Sequence, residues 1–404
     1  LKRAAALCHT ALAFLDREVA ANRRDDGLYH TYNILDIAPD GSSVEVERLT
    51  EMLEGQVAVL SSGVLTCEEA RDVLENLFAS RLYRASEKSF MLYPERKLPG
   101  FMEKNVVPED AARAIPLLTT LLDEGNGSIV ARDAAGRVRF HGDFGNAADV
   151  ETALGRLARD PKRKEAAVRD RAAILDLYEA VFDHDSYTGR SGVMYAYEGL
   201  GCIYWHMVAK LLLAVQEYHQ RAVREKAPAE VVDALADLYL KVRAGIGYEK
   251  TVADYGAFPF DPYSHTPPAG GAKQPGMTGQ VKEEILTRWG ELGVRVEDGT
   301  VRFRPRLLEK DEFLAGPAEF RYFDVTGEER SAALAAGSLA FTYCQVPVIY
   351  ERAADQAWLR VAFSDGTAKD LATDRLDAGL TAELHARTGW IDAIRVGVPD
   401  SQLR

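Results

Sequence analysis

The sequence predicts a mainly α protein: an incomplete α/α toroid of the six-hairpin kind over residues 1–295, then a small β-sandwich-like domain over residues 296–404. Two observations predict it. Apolar residues recur at helical spacing from Ala4 as far as Ile246, in segments joined by loops of varied length, which is the pattern of antiparallel helices around a ring. Past Val294 the pattern changes to alternation rich in β-branched residues, with Gly or Asp at the turns. Between the two lies a stretch around which the chain is organised, Tyr255 to Val294. It starts as an aromatic, proline-broken loop (Phe258, Pro259, Phe260, Asp261, Pro262, Tyr263) and ends in a helix that opens near Thr278.

Ala4 to Val19 reads as an amphipathic helix with Leu7, Ala11, Phe14 and Leu15 on one face. After a charged turn at Asp25-Asp26-Gly27, Leu28 to Leu35 reads as a short exposed segment carrying Tyr29, His30, Tyr32 and Asn33. Helices are predicted over Glu47–Leu60, Thr66–Ser80 (opened by Thr66, Glu68 and Glu69), Glu109–Asp123, Ala147–Arg159 and Arg163–Phe182. Ser128 to His141 reads as an inserted β-hairpin turning at Ala135-Gly136. Two longer helices, Gly201–Val223 and Pro228–Ile246, precede the organising loop. The helix from Thr278 places Val281, Ile285, Trp289 and Leu292 on one face. Strands are predicted at Thr300–Phe303, Glu319–Val325, Ser338–Gln345, Val346–Tyr350, Trp358–Phe363 and Ile394–Val398. The helices fall short of the number a closed toroid needs, so an N-terminal part of a longer chain is expected to supply the rest.

With 404 residues, 47% of them hydrophobic, the chain buries a large core and divides into two or three domains. A net charge of -13 repels a phosphate backbone, and Lys162-Arg163-Lys164 is the one dense basic run, which argues against nucleic acid as a partner. Cys8, Cys67, Cys202 and Cys344 form no Cys-x-x-Cys pair, which suits reduced thiols, no metal and a cytoplasmic setting. Lys210 interrupts the best apolar run, Met207 to Val215, well short of the roughly 20 residues a membrane span needs.

Two clusters carry candidate chemistry. In Asp183 to His206, Arg190, Tyr195, Tyr197 and Glu198 precede a glycine-broken turn and then Tyr204, Trp205 and His206. Sugar sites need this mixture, because sugar faces stack on aromatic rings while hydroxyls require fixed carboxylates, Arg and His. Equally, Tyr204 and Trp205 fit core aromatics, and His206 a half-buried, hydrogen-bonded histidine. Glu198 is costly to bury unless paired. The second cluster is the start of the helix at Thr278 and Gly279, where backbone N–H groups and the Thr hydroxyl form an anion site; an ordinary capped helix fits the same residues.

The passage GLGCIYWHM, followed by DPYSHTP and GMTGQVKEEILTRWGELGV, resembles the C-terminal part of the catalytic toroid of the inverting disaccharide phosphorylases, glycoside hydrolase family 94, with the β-region resembling that family's closing domain. The resemblance implies that His206, Thr278 and Gly279 hold inorganic phosphate as co-substrate, that Tyr204 takes the place of the family's Tyr, and that no other cofactor is needed. It also implies a general acid at the end of a Trp-Asn-Asp segment; here Tyr32, Asn33 and Ile34 occupy those places, and isoleucine donates no proton. The acid and base then fall among Glu198, Asp261 and Asp36, with Arg190, Tyr197, Trp205, Tyr263, Tyr32 and Asn33 holding the oligosaccharide. The expected activity is inverting cleavage or phosphorolysis of β-glucosidic bonds. The alternatives are a catalytically silent sugar-binding or scaffold module of a larger protein, and a lyase using Tyr204 and His206. A homodimer and further N-terminal domains are the other expected associations.

Overall fold

A computed structural model describes residues 2–38, 40–49, 51–94, 99–183, 203–246, 265–266 and 280–404, without the side chains of 265–266 and 280–284. The first helix, α1 (Lys2–Ala21), forms as its periodicity predicts, but none of its residues is buried, and Leu7, Phe14 and Leu15 stand exposed. A hairpin follows, β1 (Asn33–Ile37) and β2 (Val44–Arg48), paired with Asn33 opposite Arg48. The predicted helix from Glu47 is therefore shortened: Val44, Val46 and their alternating glutamates favour an extended chain, and α2 (Leu53–Ser62) starts only at Leu53. Leu28 and Tyr29, read as exposed, are buried. Gln56 of α2 fixes them there, accepting from the Tyr29 N–H at 2.9 Å and donating to the Tyr29 carbonyl at 2.8 Å.

The helix α3 (Cys67–Ala79) opens with the predicted capping box: Thr66 Oγ1 accepts from the Glu69 N–H, and the Glu69 carboxylate accepts from the Thr66 N–H. Two short strands, β3 (Tyr83–Arg84) and β4 (Ser89–Phe90), lead away from it. Beyond them residues 99–183 build a separate module of α4 (Phe101–Lys104), α5 (Glu109–Ala114), α6 (Pro116–Asp123), the hairpin β5 (Val130–Arg132) and β6 (Val138–Phe140), α7 (Ala147–Leu157), α8 (Lys164–Arg169) and α9 (Arg171–Phe182). The predicted hairpin is present, but the module around it has a core of its own, from Val107 to Phe182, sharing no residue with the other cores. Two predicted helices are each broken once. Pro116 lacks an N–H and holds Ile115 extended, so one helix becomes α5 and α6. At the second break, Asp170 turns its carboxylate to accept from the Leu117 N–H at 2.9 Å, which caps α6.

The chain rejoins the helical core at β7 (Ile203–Tyr204), where Ile203 bridges Met91. The helix α10 (Trp205–Glu225) then runs through the centre of the helical core, buried on most sides from Trp205 to Ala222. It packs against α2, α3, α11 (Ala229–Ala244) and α12 (Gln280–Glu291); a two-residue strand, β8 (His265–Thr266), pairs with β7. On α12 the expected apolar face is buried only in part: Leu292, just past its end, is buried and Trp289 packs against the C-terminal core. Ile285 is exposed, while Thr287 and Glu291 are buried. The physical reason is that α10 and α11 present polar partners: Gln216 donates to the Thr287 carbonyl at 2.7 Å, and the Tyr239 hydroxyl donates to Glu291 at 2.6 Å. Gly290 permits this approach, since a Cβ there would strike the Gln216 amide.

The C-terminal region is β-rich as predicted. The hairpin β9 (Val294–Glu297) and β10 (Thr300–Phe303) turns at Asp298-Gly299, both with positive φ as a tight type I′ connection requires. A second hairpin joins β11 (Ala318–Phe323) to β12 (Glu329–Leu334). One five-stranded mixed sheet follows, formed by β13 (Ser338–Tyr343), β14 (Val346–Ala353), β15 (Trp358–Phe363), β16 (Ala368–Leu371) and β17 (Ile391–Pro399) in the order β13-β14-β17-β15-β16, with β14 and β17 parallel. A helix absent from the sequence reading, α13 (Ala378–Ala386), is capped by Asp377 and contributes Leu380 and Leu384 to the sheet's core. These described elements make the protein mixed α and β rather than mainly α; the strand pairings alone establish neither a two-sheet sandwich nor a closed toroid.

Candidate functional site

Many of the predicted site residues, Glu198, Asp261, Arg190, Tyr197, Tyr263, Thr278 and Gly279, lie outside the described residues, as does Cys202. Of the others, Trp205 and His206 lie at the start of α10, next to Tyr204, whereas Tyr32, Asn33 and Asp36 lie at or on β1. The strand pairings Met91 with Ile203 and Tyr204 with His265 bring three distant stretches of chain side by side. There Met52, Leu92 and Tyr93 form a small core against which Tyr204 and Met207 pack. The Tyr204 and His206 rings stack, with centroids 5.1 Å apart and planes 18° apart. His206 is half-buried, beside this cluster at the N-terminal end of the helix.

Trp205 points elsewhere. It is only 2% exposed inside the helical core, so its ring packs on protein and offers no open face to a sugar. Tyr32 is exposed, and its hydroxyl donates to Glu54 at 3.0 Å. Asn33, Ile34 and Asp36 belong to β1, all of whose residues are exposed. The Asp36 carboxylate is thus held in water and not in an enclosed pocket of the kind that positions a general acid.

The sequence reading missed a buried carboxylate beside this region. Glu51, 6% exposed and adjacent to Met52, is paired with Arg81 at 2.5 Å and Arg24 at 3.6 Å. Arg24 also grips Asp26 and holds that carboxyl below its ordinary range. These ion pairs fasten the Asp26-Gly27 turn, whose Gly27 has φ +77 and leaves no room for a Cβ against Asn76.

Two cavities lie away from the start of α10. One, of about 520 Å³, is inside the module of residues 99–183 and lined by His141, Asp143, Phe144, Asp149, Arg156 and Asp160, a ring, acid and guanidinium set of the kind sugar hydroxyls use. Nearby, burial pushes the Tyr178 hydroxyl up to about 12. The other, of about 530 Å³, lies at the far half of α10 and is lined by His219, Arg224, Lys226, Arg295, Arg302, Arg304 and Arg306 among others. The sequence did carry a signal for it. In VRVEDGTVRFRPR the arginines at 302, 304 and 306 alternate, which on a strand puts them on one face.

Among the described residues no group of His, Cys, Asp and Glu could hold a metal ion, and no helix is long and apolar enough to cross a membrane. Cys8, Cys67 and Cys344 are free thiols. No curated protein matches the chain. Residues 98–185 match the family model described as GH149 phosphorylase insertion domain 2. That match coincides with the separately cored module and supports a relationship to the glycoside phosphorylases over that segment.

Proposed function

We propose that the protein is a glycoside phosphorylase that cleaves β-glucosidic bonds of oligosaccharides with inversion, using inorganic phosphate as co-substrate. The observation that carries this reading is the match of residues 98–185 to a phosphorylase insertion domain, on a segment that folds around its own core. In this reading the helices packed on α10 are part of an α/α toroid. The stacked Tyr204 and His206, at the β7–β8 pairing, mark the phosphate side of the site, with Thr278 and Gly279 as further donors. Glu198 and Asp261 are the acid and base candidates that remain once the solvated Asp36 is set aside.

The test is incubation with β-linked oligoglucans in the presence and absence of phosphate. Phosphate-dependent release of α-glucose 1-phosphate is expected, and Glu198→Gln should slow it roughly a hundredfold, the scale of lost general acid or base assistance. Phosphate-independent release of free sugar would identify a hydrolase instead. One observation favours a second reading, a catalytically silent sugar-binding module: Ile34, at the place of the family's acid, sits on the exposed β1. Sugar binding with no product in either arm would establish that reading and refute the first.

A further inference from the structure

The cavity at the far half of α10 gathers like charge that the protein leaves largely uncompensated. Arg295 and Arg302 are direct cross-strand partners in the β9–β10 hairpin, and Arg302 bridges Arg375 on its other side. Like charges directly opposite in a ladder are destabilising. Two carboxylates serve three of these arginines: Glu297 is 3.0 Å from Arg302 and 3.9 Å from Arg295, and Asp374 is 2.6 Å from Arg304 and 3.4 Å from Arg302. Arg306 meets only the Ser401 carbonyl at 3.4 Å, and its Nε has no hydrogen-bond partner. Among the described residues Arg224 and Lys226 have no ion pair, and Asp298 is the one further acid in the lining.

A second, independent observation points the same way. His219 is 2% exposed, lines the cavity, and its Nδ1 has no hydrogen-bond partner. A buried unpaired nitrogen costs on the order of 1–3 kcal/mol, which a bound acceptor would remove. All this occurs in a chain of net charge -13, where an accumulation of cations in one concavity is not a by-product of composition.

We propose that this cavity binds a small multiply charged phosphate, free or as a phosphate monoester of a sugar, at a site separate from the one at the start of α10. Its volume of about 530 Å³ suits a small ligand. His219 lies about 20 Å along the helix axis from His206 at 1.5 Å per residue, too far for one bound disaccharide phosphate to touch both. The guanidinium groups supply bidentate donors to phosphate oxygens, and His219 supplies a further donor in the tautomer that carries its proton on Nδ1.

The experiment titrates the full chain with inorganic phosphate, pyrophosphate and glucose 1-phosphate at constant ionic strength, following the His219 imidazole by NMR. Saturable shifts are expected, and Arg306→Gln and Arg295→Gln should each weaken binding at least tenfold while leaving the melting temperature unchanged or raised, because each relieves repulsion. Thr278→Val should leave the His219 response intact, which separates this site from the phosphorylase reading. Tighter binding of glucose 1-phosphate than of pyrophosphate would identify the ester as ligand, and the reverse order the free anion. No saturable shift at about 10 mM, where a millimolar site would be nearly filled, or binding indifferent to both arginine variants, would overturn the proposal. So would equal competition by chloride, which would show general charge attraction only.

Discussion

Glu291 is the polar hub between the helical core and the C-terminal region, and Glu291→Gln tests how much that hub contributes. The carboxylate is 2% exposed; it accepts from the Tyr239 hydroxyl at 2.6 Å and from Arg288 at 2.6 Å, and Arg243 lies 3.2 Å away. Gln keeps one acceptor for Tyr239, but its amide turns N–H groups towards guanidinium donors and leaves the buried Arg243 and the half-buried Arg288 without their shared anion. Breaking a buried pair by removing one partner costs about 3–5 kcal/mol. Here Arg288 keeps Glu312 at 2.7 Å and Arg243 keeps Glu309 at 3.5 Å, so the lower end, about 3 kcal/mol, is expected. The control is Glu319→Gln, which removes an exposed partner of Arg321 at 3.4 Å and should change stability by less than about 0.5 kcal/mol. Equilibrium urea unfolding followed by tryptophan fluorescence suits the measurement, because Trp289 sits in the same interface, edge-on to Phe341 and Tyr343. If Glu291→Gln unfolds within about 0.5 kcal/mol of the parent, the hub holds nothing together and the reasoning fails.

His219 predicts a pH dependence. Burial first, and then Arg404, Arg295 and Arg306 against Asp233, hold it at about 4, below its ordinary 6.5. The folded state therefore binds fewer protons than the unfolded one between these values, so the stability from this site is complete above pH 6.5 and is lost as pH falls towards 4, by about 3 kcal/mol in all. Unfolding of His219→Gln measured across this range should show a flatter slope; an unchanged slope would contradict the assignment. In the module, Asn105 closes the edge of β6 by donating to the Phe140 carbonyl and accepting from its N–H, both at 2.9 Å. Asn105→Ala leaves both groups unpaired and should cost about 2–4 kcal/mol, seen as faster hydrogen exchange in residues 107–182 with the α10 amides unaffected. Thr66→Ala removes half of the α3 capping box and should lower stability by about 1 kcal/mol in the same urea assay, whereas Thr66→Ser should be close to neutral.

The local chemistry of the chain was legible without a structure. Thr66 and Glu69 mark a helix start because the two groups that satisfy the cap are three residues apart in sequence. Asp298-Gly299 between alternating runs marks a hairpin because only a few residues accept positive φ at both turn positions. The helix read over Gly201–Val223 is present as α10, and the resemblance to phosphorylases agreed in kind with the match of residues 98–185. What the sequence left open were the contacts between elements. The burial of Glu291 and Thr287 in place of Ile285 depends on Gln216 and Tyr239, polar partners contributed by two other helices. A hairpin became a module of residues 99–183 because its core joins side chains as far apart as Val107 and Phe182. The basic cavity likewise needs α10, the β9–β10 hairpin and the segment through Arg306 at one place. Periodicity records which face of an element is apolar, whereas a buried polar group is stable only where a partner from elsewhere in the chain satisfies it, and that pairing exists only in the tertiary structure.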